Sequence, residues 1–498
     1  MPLTTYNTGR LITAGIAAAL GITACAVGPN FRSPAAPAVT HYTRGSQPGE
    51  TTDAPVSAGV AQKFEIDRDI PGDWWSLFQS QPLDSLVRNA LRDSPNIEAA
   101  KAALRSAEDT YIAERGALLL PTVDGQAAVL RERVPGAAFG APELPASLFT
   151  VYSASVNVSY RLDLFGASRR QIEALRAQRD YERWELEAAN LTLTANVVTT
   201  AFDVASLREQ LAAVTDVVAS ESTQLKVVQR QFDVGGASRS DVLSQQAQLA
   251  QAQALIPGLE KALAQAQHRL AVLAGRTPDD ETIPDFALET FTLPTELPIS
   301  VPAKLIRQRP DVQAAEALLH QASAQVGVAT ANLYPQINLT GSIGSEALTT
   351  TGFFGPGNAT WSAGAAVLQP LFHGGELRYK RKAAIENLDN AVAMYRQAVL
   401  AALEDVADTL RALEADARTL RAQVDAERTA LDALEIAKKQ FRVGGVSYLT
   451  VLNAERVYSE SRQSRVQAQA ARYADTAALF QALGGGWWNR REDSGVRQ

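Results

Sequence analysis

The stretch QFDVGGASRSDVL, Gln231–Leu243, returns as QFRVGGVSYLTVL, Gln440–Leu452, at an offset of 440 − 231 = 209 residues. In both places a Val-Gly-Gly turn interrupts long runs of helix-forming residues. Glycine supplies the positive φ that ends a helix. Each stretch therefore reads as the tip of an antiparallel helical hairpin, with Val234, Gly235 and Gly236 at one turn and Val443, Gly444 and Gly445 at the other.

Working outward, the match extends. SPNIEAAKAALRSAE from Ser94 parallels RPDVQAAEALLHQAS from Arg309, and Leu120-Pro121 parallels Tyr334-Pro335 at an offset of 334 − 120 = 214. LDLFG with Phe165 parallels QPLFHGG with Phe372 at an offset of 207, and AVLAG ending at Gly275 parallels FQALG ending at Gly484 at an offset of 209. Ordered landmarks at near-constant spacing mean an internal duplication, roughly 83–276 and 297–485. The predicted organisation is a signal peptide over 1–24, a Pro/Ser/Thr/Gly-rich tether over 25–72, a first repeat over 73–291, a second over 292–486 and a tail over 487–498. The Pro-rich TLPTELPISVP from Thr292 joins the copies.

Within each copy the order is the same. A helix comes first, Asn96 to Leu119 in copy one, stopping before Pro121. Two alternating stretches follow, predicted as strands at about 122–132 and 150–164, then at about 336–346 and 360–372. Tyr152, Ala154, Val156, Val158 and Tyr160 share one face, and Ser153, Ser155, Asn157 and Ser159 the other. In copy two, Ile337, Leu339, Gly341 and Ile343 oppose Gln336, Asn338, Thr340 and Ser342. The long helices come last. Gly166 to Phe232 spans about 67 residues, or roughly 100 Å at 1.5 Å per residue. Leu249, Ala252, Ile256, Leu259, Leu263, Ala266, Leu270 and Leu273 form a heptad seam, as do Leu403, Val406, Leu410, Leu413, Ala417, Leu420 and Val424. A 4,4 step at Tyr395, Val399 and Leu403 predicts a stutter.

Four short strands cannot close a barrel, and open edges are unstable in lipid. Several chains must pool strands: two would give eight, three would give twelve and a water-filled lumen. The polar face would line that lumen and the apolar face would meet lipid. Basic residues follow both strand pairs: Arg169 and Arg170, then Arg378, Lys380, Arg381 and Lys382. They fit a membrane rim, where cations reach headgroups, or a solvated helix face.

Arg10 precedes an apolar run, Leu11 to Ile22, of signal-peptide length. The run ends Ile22-Thr23-Ala24-Cys25, which resembles a lipoprotein cleavage box and makes Cys25, the only cysteine in the chain, a lipid-anchor candidate. The net charge of −7 gives no case for nucleic acid. His41, His268, His320 and His373 lack metal-ligand spacing, so no metal or cofactor is expected. No GxSxG, HExxH, P-loop or GxGxxG sits in a strand–helix setting, so the chain does not read as an enzyme.

With these residues in view, CAVGPNF after the cleavage box, DWWSLF at Asp73–Phe78, the paired VGG turns and QALGGGW at Gln481–Trp487 resemble the outer-membrane factor family. These are TolC/OprM-like efflux channels, here of the NodT-type lipoprotein branch. The resemblance implies an α+β membrane protein: a homotrimer with a twelve-stranded outer-membrane β-barrel, four strands per chain, above a long antiparallel coiled-coil α-barrel in the periplasm. It implies a passive channel for drugs and toxic compounds, served by a periplasmic adaptor and an inner-membrane transporter of the resistance-nodulation-division type. It also places constriction residues just past the hairpin turns, at Asp241, Leu449, Thr450 and Asn453. A relative's aspartate is replaced by Asn453, which predicts a weaker electrostatic ring. The exposed Gly-Gly tips are implied as adaptor contacts. Ser238 and Asp241 equally fit a capping box, and Leu449 equally fits the seam. Two other functions are compatible with the sequence: a type I protein-secretion channel, and a non-conducting lipid-anchored periplasmic scaffold.

Overall fold

The computed structural model describes residues 26–45 and 49–490. Cys25, the predicted signal peptide and the last eight residues of the predicted tail lie outside the described residues. In chain order the regular elements are β1 (Lys63–Ile66), α1 (Gln81–Asp93), α2 (Pro95–Leu119), β2 (Thr122–Val134), β3 (Ser147–Leu162), α3 (Ala167–Asp233), α4 (Arg239–Leu273), β4 (Glu296–Ile299), α5 (Pro302–Gln308), α6 (Pro310–Ala331), β5 (Gln336–Ala347), β6 (Ala359–Leu368), α7 (Glu376–Arg442) and α8 (Tyr448–Ala482). The duplication is written in the lengths: α3 and α7 each have 67 residues, α4 and α8 each 35. Among the described residues no helix is long and apolar enough to cross a membrane.

The residues group into two compact units. Of the described residues, one comprises 26–34, 104–182 and 315–395; the other comprises 35–45, 49–103, 183–314 and 396–490. The first unit holds a four-stranded antiparallel sheet in the order β2-β3-β5-β6, with β2 and β6 at its edges. Strand β6 ends at Leu368, short of the expected 372, because Gln369 is followed by Pro370, which has no N–H to extend the ladder.

The second unit packs on aromatic rings. Phe202 of α3 lies 4.8 Å from Phe291, 5.0 Å from Phe78 and 5.3 Å from Tyr473, centroid to centroid. The Tyr473 hydroxyl donates to the Phe291 carbonyl at 2.8 Å. Trp74 stacks on Phe480 at 5.4 Å, which explains the DWWSLF segment physically: its Trp74, Trp75 and Phe78 are buried. The tether and the inter-repeat linker are more ordered than their composition predicts. Within them β1 and β4 pair in parallel, Phe64 opposite Leu297; Leu297 and Ile299 are buried, and Pro298 between them has no N–H to give to a further strand. Arg472, fully buried, donates to the carbonyls of Ala58 and Val60 at 2.9 and 2.8 Å and to Thr51 at 2.8 Å, so one side chain holds three points of the tether.

The seams lie where the heptads place them, with one shift. Tyr395, Val399, Ala402, Val406, Leu410, Leu413, Ala417 and Leu420 are the buried positions, so Ala402 rather than Leu403 carries the seam. The 4,4 step falls at Ala402, Val406 and Leu410, seven residues beyond the expected stutter. Ala402 and Leu403 are both apolar, and close packing selects the smaller.

The same contact also occurs twice. A Cβ on Gly275 (φ +73°) would sit 2.5 Å from the Asp93 carbonyl oxygen, and one on Gly484 (φ +93°) 2.5 Å from that of Gln308. These glycines close the long helices against the end of a short one in each copy. Gly116, inside α2, has open space where its Cβ would be. Gly484→Ala should therefore destabilise the protein by at least about 1–2 kcal/mol from backbone strain alone, whereas Gly116→Ala should stabilise it by about 0.5–1 kcal/mol. Thermal unfolding of the two variants checks the opposite signs.

Candidate functional site

Two regions hold the candidate site residues, the sheet and the hairpin tips. In the sheet, register decides everything. Val156 of β3 lies opposite Gly125 of β2 and Ile343 of β5, and Ile343 lies opposite Trp361 of β6. One face thus carries Val123, Val129, Tyr152, Val156, Val158, Tyr160, Leu339, Ile343, Trp361 and Val367. The opposite face carries Asp124, Gln126, Ser155, Asn157, Thr340, Ser342 and Ser362, with Asn157 opposite both Asp124 and Ser342. The hydroxyls of Ser342 and Ser362 lie 2.8 Å apart across strands. The apolar face is bare: Val156 is 44% exposed, Ile343 67% and Trp361 79%. Among the described residues no core covers it. Strands of 10–16 residues suffice to cross a bilayer when tilted.

The basic cluster divides. Arg378, Lys380, Arg381 and Lys382 are exposed on the first turns of α7, with Lys380 2.5 Å from Glu376 and Lys382 5.4 Å from the Tyr379 ring centroid. Arg169 is half-buried and pairs with Asp163 at 3.2 Å. Arg170 corrects the expectation: it is buried and faces no membrane. Its guanidinium donates to Asn30 and Glu173 at 2.6 Å and to the Val27 carbonyl at 3.3 Å. Beside it Phe31 stacks on His320 at 4.3 Å, and the His320 Nε2 lies 2.9 Å from Glu173. This dock holds the segment that follows Cys25.

At the tips, both turns are Schellman motifs. Gly236 N donates to Gln231 O at 2.7 Å and Gly235 N to Phe232 O at 2.9 Å; Gly445 and Gly444 repeat the bonds to Gln440 and Phe441 at 2.9 and 3.0 Å. Gly235 and Gly444 have φ of +79° and +76°. Val234 and Val443 project into open space, each 83% exposed. The first turn is followed by a capping box: the Asp241 carboxylate accepts from Ser238 N at 2.9 Å, and Ser238 Oγ accepts from Asp241 N at 3.1 Å. In copy two Thr450 stands at the equivalent position, 241 + 209; its backbone N–H donates to the Ser447 carbonyl at 3.1 Å and the two hydroxyls lie 3.3 Å apart, but no side chain caps the helix. Leu449 is 60% exposed, so it is not a seam residue; Val451 and Leu452 are buried in its place. Thr450 and Asn453 are exposed with it.

Beneath the tips the two hairpins share a core of Val228, Val242, Leu434, Ala437, Tyr448, Val451 and Leu452. Next to it lies a polar network that the sequence reading missed. The Tyr448 hydroxyl donates to the Gln245 side-chain oxygen, whose amide nitrogen donates to the Glu221 carboxylate and, at 3.0 Å, to the Glu221 carbonyl. Buried Glu455 pairs with Lys438 at 2.9 Å. Gln245 lies one seam step before Leu249, and Glu221 lies seven residues from both buried Val214 and buried Val228, so polar residues at heptad spacing were the available signal. Among the described residues no group of His, Cys, Asp or Glu is placed to hold a metal ion.

Burial, and then the Glu455 carboxylate, push Glu221 up to about 7, against the pull of Gln245 and Lys438. The unfolded group ionises near the usual carboxylate value, so the folded state favours the proton. Stability from this site is therefore full below about pH 4.5 and is lost as pH rises through about 7. Wild-type protein should be more stable near pH 5 than near pH 8, and Glu221→Gln should flatten that dependence. Parallel thermal melts of both proteins across this range check it.

The comparisons with known proteins concern the chain as a whole. A family model described as outer membrane efflux protein matches residues 86–276 and 301–485, the two copies of the duplication. The pyoverdine export outer membrane protein OpmQ of Pseudomonas aeruginosa is 28% identical over 457 residues, covering 89% of this chain and 95% of OpmQ. The solvent efflux pump outer membrane protein SrpC of Pseudomonas putida is 29% identical over 472 residues, covering 93% and 96%. Among solved structures, the outer-membrane channel OprN superposes with a TM-score of 0.83 at 26% identity, covering 93% of this chain and all of that one. The Neisseria gonorrhoeae MtrE outer membrane channel, in its open state, gives 0.79 at 26%, covering 93% and 99%. Two matches in tandem, each holding a strand pair and a Gly-Gly hairpin, leave a single conclusion: this chain belongs to the outer membrane efflux protein family.

Proposed function

We propose that three copies of the chain close a barrel of 3 × 4 = 12 strands in the outer membrane and form the exit duct of a tripartite efflux pump. The observation that carries the proposal is the four-stranded sheet with one bare apolar face, one polar face and two free edges. Strands β2, β3, β5 and β6 alternate in direction, so β6 of one chain meets β2 of the next antiparallel and the alternation continues around the ring. The polar face then lines a water-filled lumen. Conduction is passive, and a periplasmic adaptor and an inner-membrane transporter of the resistance-nodulation-division type supply cargo and energy. The names of the relatives, pyoverdine export and solvent efflux, favour small molecules over secreted proteins as cargo.

The remaining assignments follow from that frame. Cys25 carries the lipid anchor, and the dock around Arg170 seats the residues that follow it. Arg169, Arg378, Lys380, Arg381 and Lys382 lie near the headgroups. The exposed Val-Gly-Gly tips meet the adaptor. Asp241, Leu449, Thr450 and Asn453 narrow the entrance, with the Asp241 carboxylate held in place by its own capping box. Binding of the adaptor opens that entrance to the extent that it prefers the open state.

In planar bilayers the purified protein should conduct ions. Asn453→Asp should raise cation selectivity by adding a ring of carboxylates; unchanged selectivity would remove residue 453 from the constriction, and absence of conductance under all conditions would refute the duct. At the membrane, Val156→Arg should destabilise assembly by about 2–4 kcal/mol, the cost of a cation facing lipid near the midplane, while Asn157→Arg on the lumen face should assemble normally. Denaturant titration of the trimer in liposomes reads the difference.

A further inference from the structure

The charged side chains of the four-stranded sheet are Asp124, Arg131, Glu132, Arg133, Arg161 and Glu346. The register sorts them between the two faces. Asp124 lies opposite Asn157, Glu346 opposite Ser153 and Arg161 opposite Asn338, all on the polar face, and Glu132 follows the same alternation. Arg131 and Arg133 alternate onto the other face, in line with Val123 and Val129. The apolar face therefore carries charge of one sign only, on two outward positions of β2 that follow one another.

Their level on that face decides what they meet. All four strands connect to helices at one end of the sheet, and the loops 135–146 and 348–358 join strands at the other. Tyr160 and Tyr152 stand on the apolar face of β3 with only Ala154, Val156 and Val158 between them. They are about 26 Å apart along the strand at 3.3 Å per residue, or about 20 Å upright at a tilt near 40°, the form of an apolar band between aromatic girdles. Strand β5 stops at Ala347, opposite Tyr152. Past that row β2 and β3 run on as a two-stranded ribbon, with Arg131 opposite Thr150 and Arg133 opposite Leu148. Arg131 thus stands about 7 Å past the tyrosine row and Arg133 about 13 Å, at headgroup depth on the loop side. The basic cluster on α7 follows β6 at the helix end, so these two arginines serve the opposite leaflet.

Both arginines are exposed, and among the described residues no carboxylate pairs with either. Side by side on one strand, about 7 Å apart, they repel each other. An anion between them reverses that. Guanidinium groups match phosphate oxygens two at a time, and the Thr150 hydroxyl opposite Arg131 can donate a further hydrogen bond. A phosphate monoester carries nearly two negative charges at neutral pH, one for each guanidinium, whereas a phosphodiester carries one.

We propose that Arg131, Arg133 and Thr150 bind a lipid headgroup bearing a phosphate monoester, in the leaflet at the loop end of the sheet. The phosphate sits between the two guanidiniums, and the lipid's chains run down the face over Tyr152, Ala154 and Val156. This rests on the reading of the sheet as a lipid-facing barrel wall and adds a ligand to it.

Phosphatidylcholine vesicles carrying a minor fraction of a second lipid test it. The second lipid is phosphatidic acid or lipopolysaccharide, which carry monoesters, or phosphatidylglycerol, a diester. The full chain as wild type, as Arg131→Gln/Arg133→Gln and as Arg131→Lys/Arg133→Lys is floated with the vesicles and extracted in mild detergent. Native mass spectrometry then counts the lipid that stays bound. Wild type should retain the monoester lipids, and the glutamine variant should retain about tenfold less, the loss expected for a charge-assisted hydrogen bond. The lysine variant should fall between them, because lysine keeps the charge without the fork. Retention of phosphatidylglycerol should be low and equal in all three. Monoester lipids retained equally by wild type and the glutamine variant overturn the proposal, as does wild type that holds phosphatidylglycerol as well as phosphatidic acid. Release of the bound lipid by millimolar inorganic phosphate overturns it too, since the site would then read a free anion. Flotation without selective retention removes this site alone, whereas protein that floats with none of the vesicles removes the lipid-facing reading itself.

Discussion

In hydrocarbon a peptide N–H or C=O has no water to turn to, and each one left unpaired costs several kcal/mol. That constraint governs this chain. Its four-stranded sheet pairs three of its junctions internally and leaves the outer edges of β2 and β6 unpaired. With an apolar face turned outward, such a sheet is stable neither in water nor, alone, in lipid. Assembly is therefore part of the fold, and the register that puts Val156 between Gly125 and Ile343 also fixes which face looks to lipid and which to the lumen.

The helical part obeys a different rule. Two hairpins with Ala-rich seams approach closely, and tertiary packing rather than intrinsic propensity holds helices of this length. The Schellman turns end both hairpins with the same two hydrogen bonds, yet the residues after them differ. Asp241 closes a capping box, Thr450 does not. The duplicated scaffold thus offers two chemically different tips. Beneath them the Tyr448–Gln245–Glu221 chain ties the hairpins together through polar groups in an otherwise apolar seam. Burial holds the Glu221 carboxyl at the end of that chain well above the usual carboxylate range.

Much of this was legible from residues alone. The Gly-Gly tips, the two copies, the alternating strands and the seams all follow from periods of two and three-and-a-half and from glycine positions, because those patterns encode which side of an element is dry. What the sequence concealed depends on residues far apart in the chain. Arg170 looks like a rim cation beside Arg169, but it is buried because Asn30 and the Val27 carbonyl, some 140 residues earlier, fold onto it. The strand pairing of Lys63–Ile66 with Glu296–Ile299 joins two Pro-rich segments that composition marks as linkers. Helix α1 was overlooked although Leu83, Leu86, Val87 and Ala90 carry a helical stripe. The stutter moved because adjacent Ala402 and Leu403 satisfy the same pattern, and only packing chooses between them.

The central claim is that one face of the sheet meets lipid and the other meets water. Spin labels at positions 156 and 157 in reconstituted protein measure it most directly, through collision with oxygen, which concentrates in lipid, and with a water-soluble nickel chelate. The account predicts high oxygen access at 156, high chelate access at 157, and inversion of the pattern at each neighbouring residue along β3. Two immobile labels shielded from both reagents, as inside a dry protein core, would contradict it.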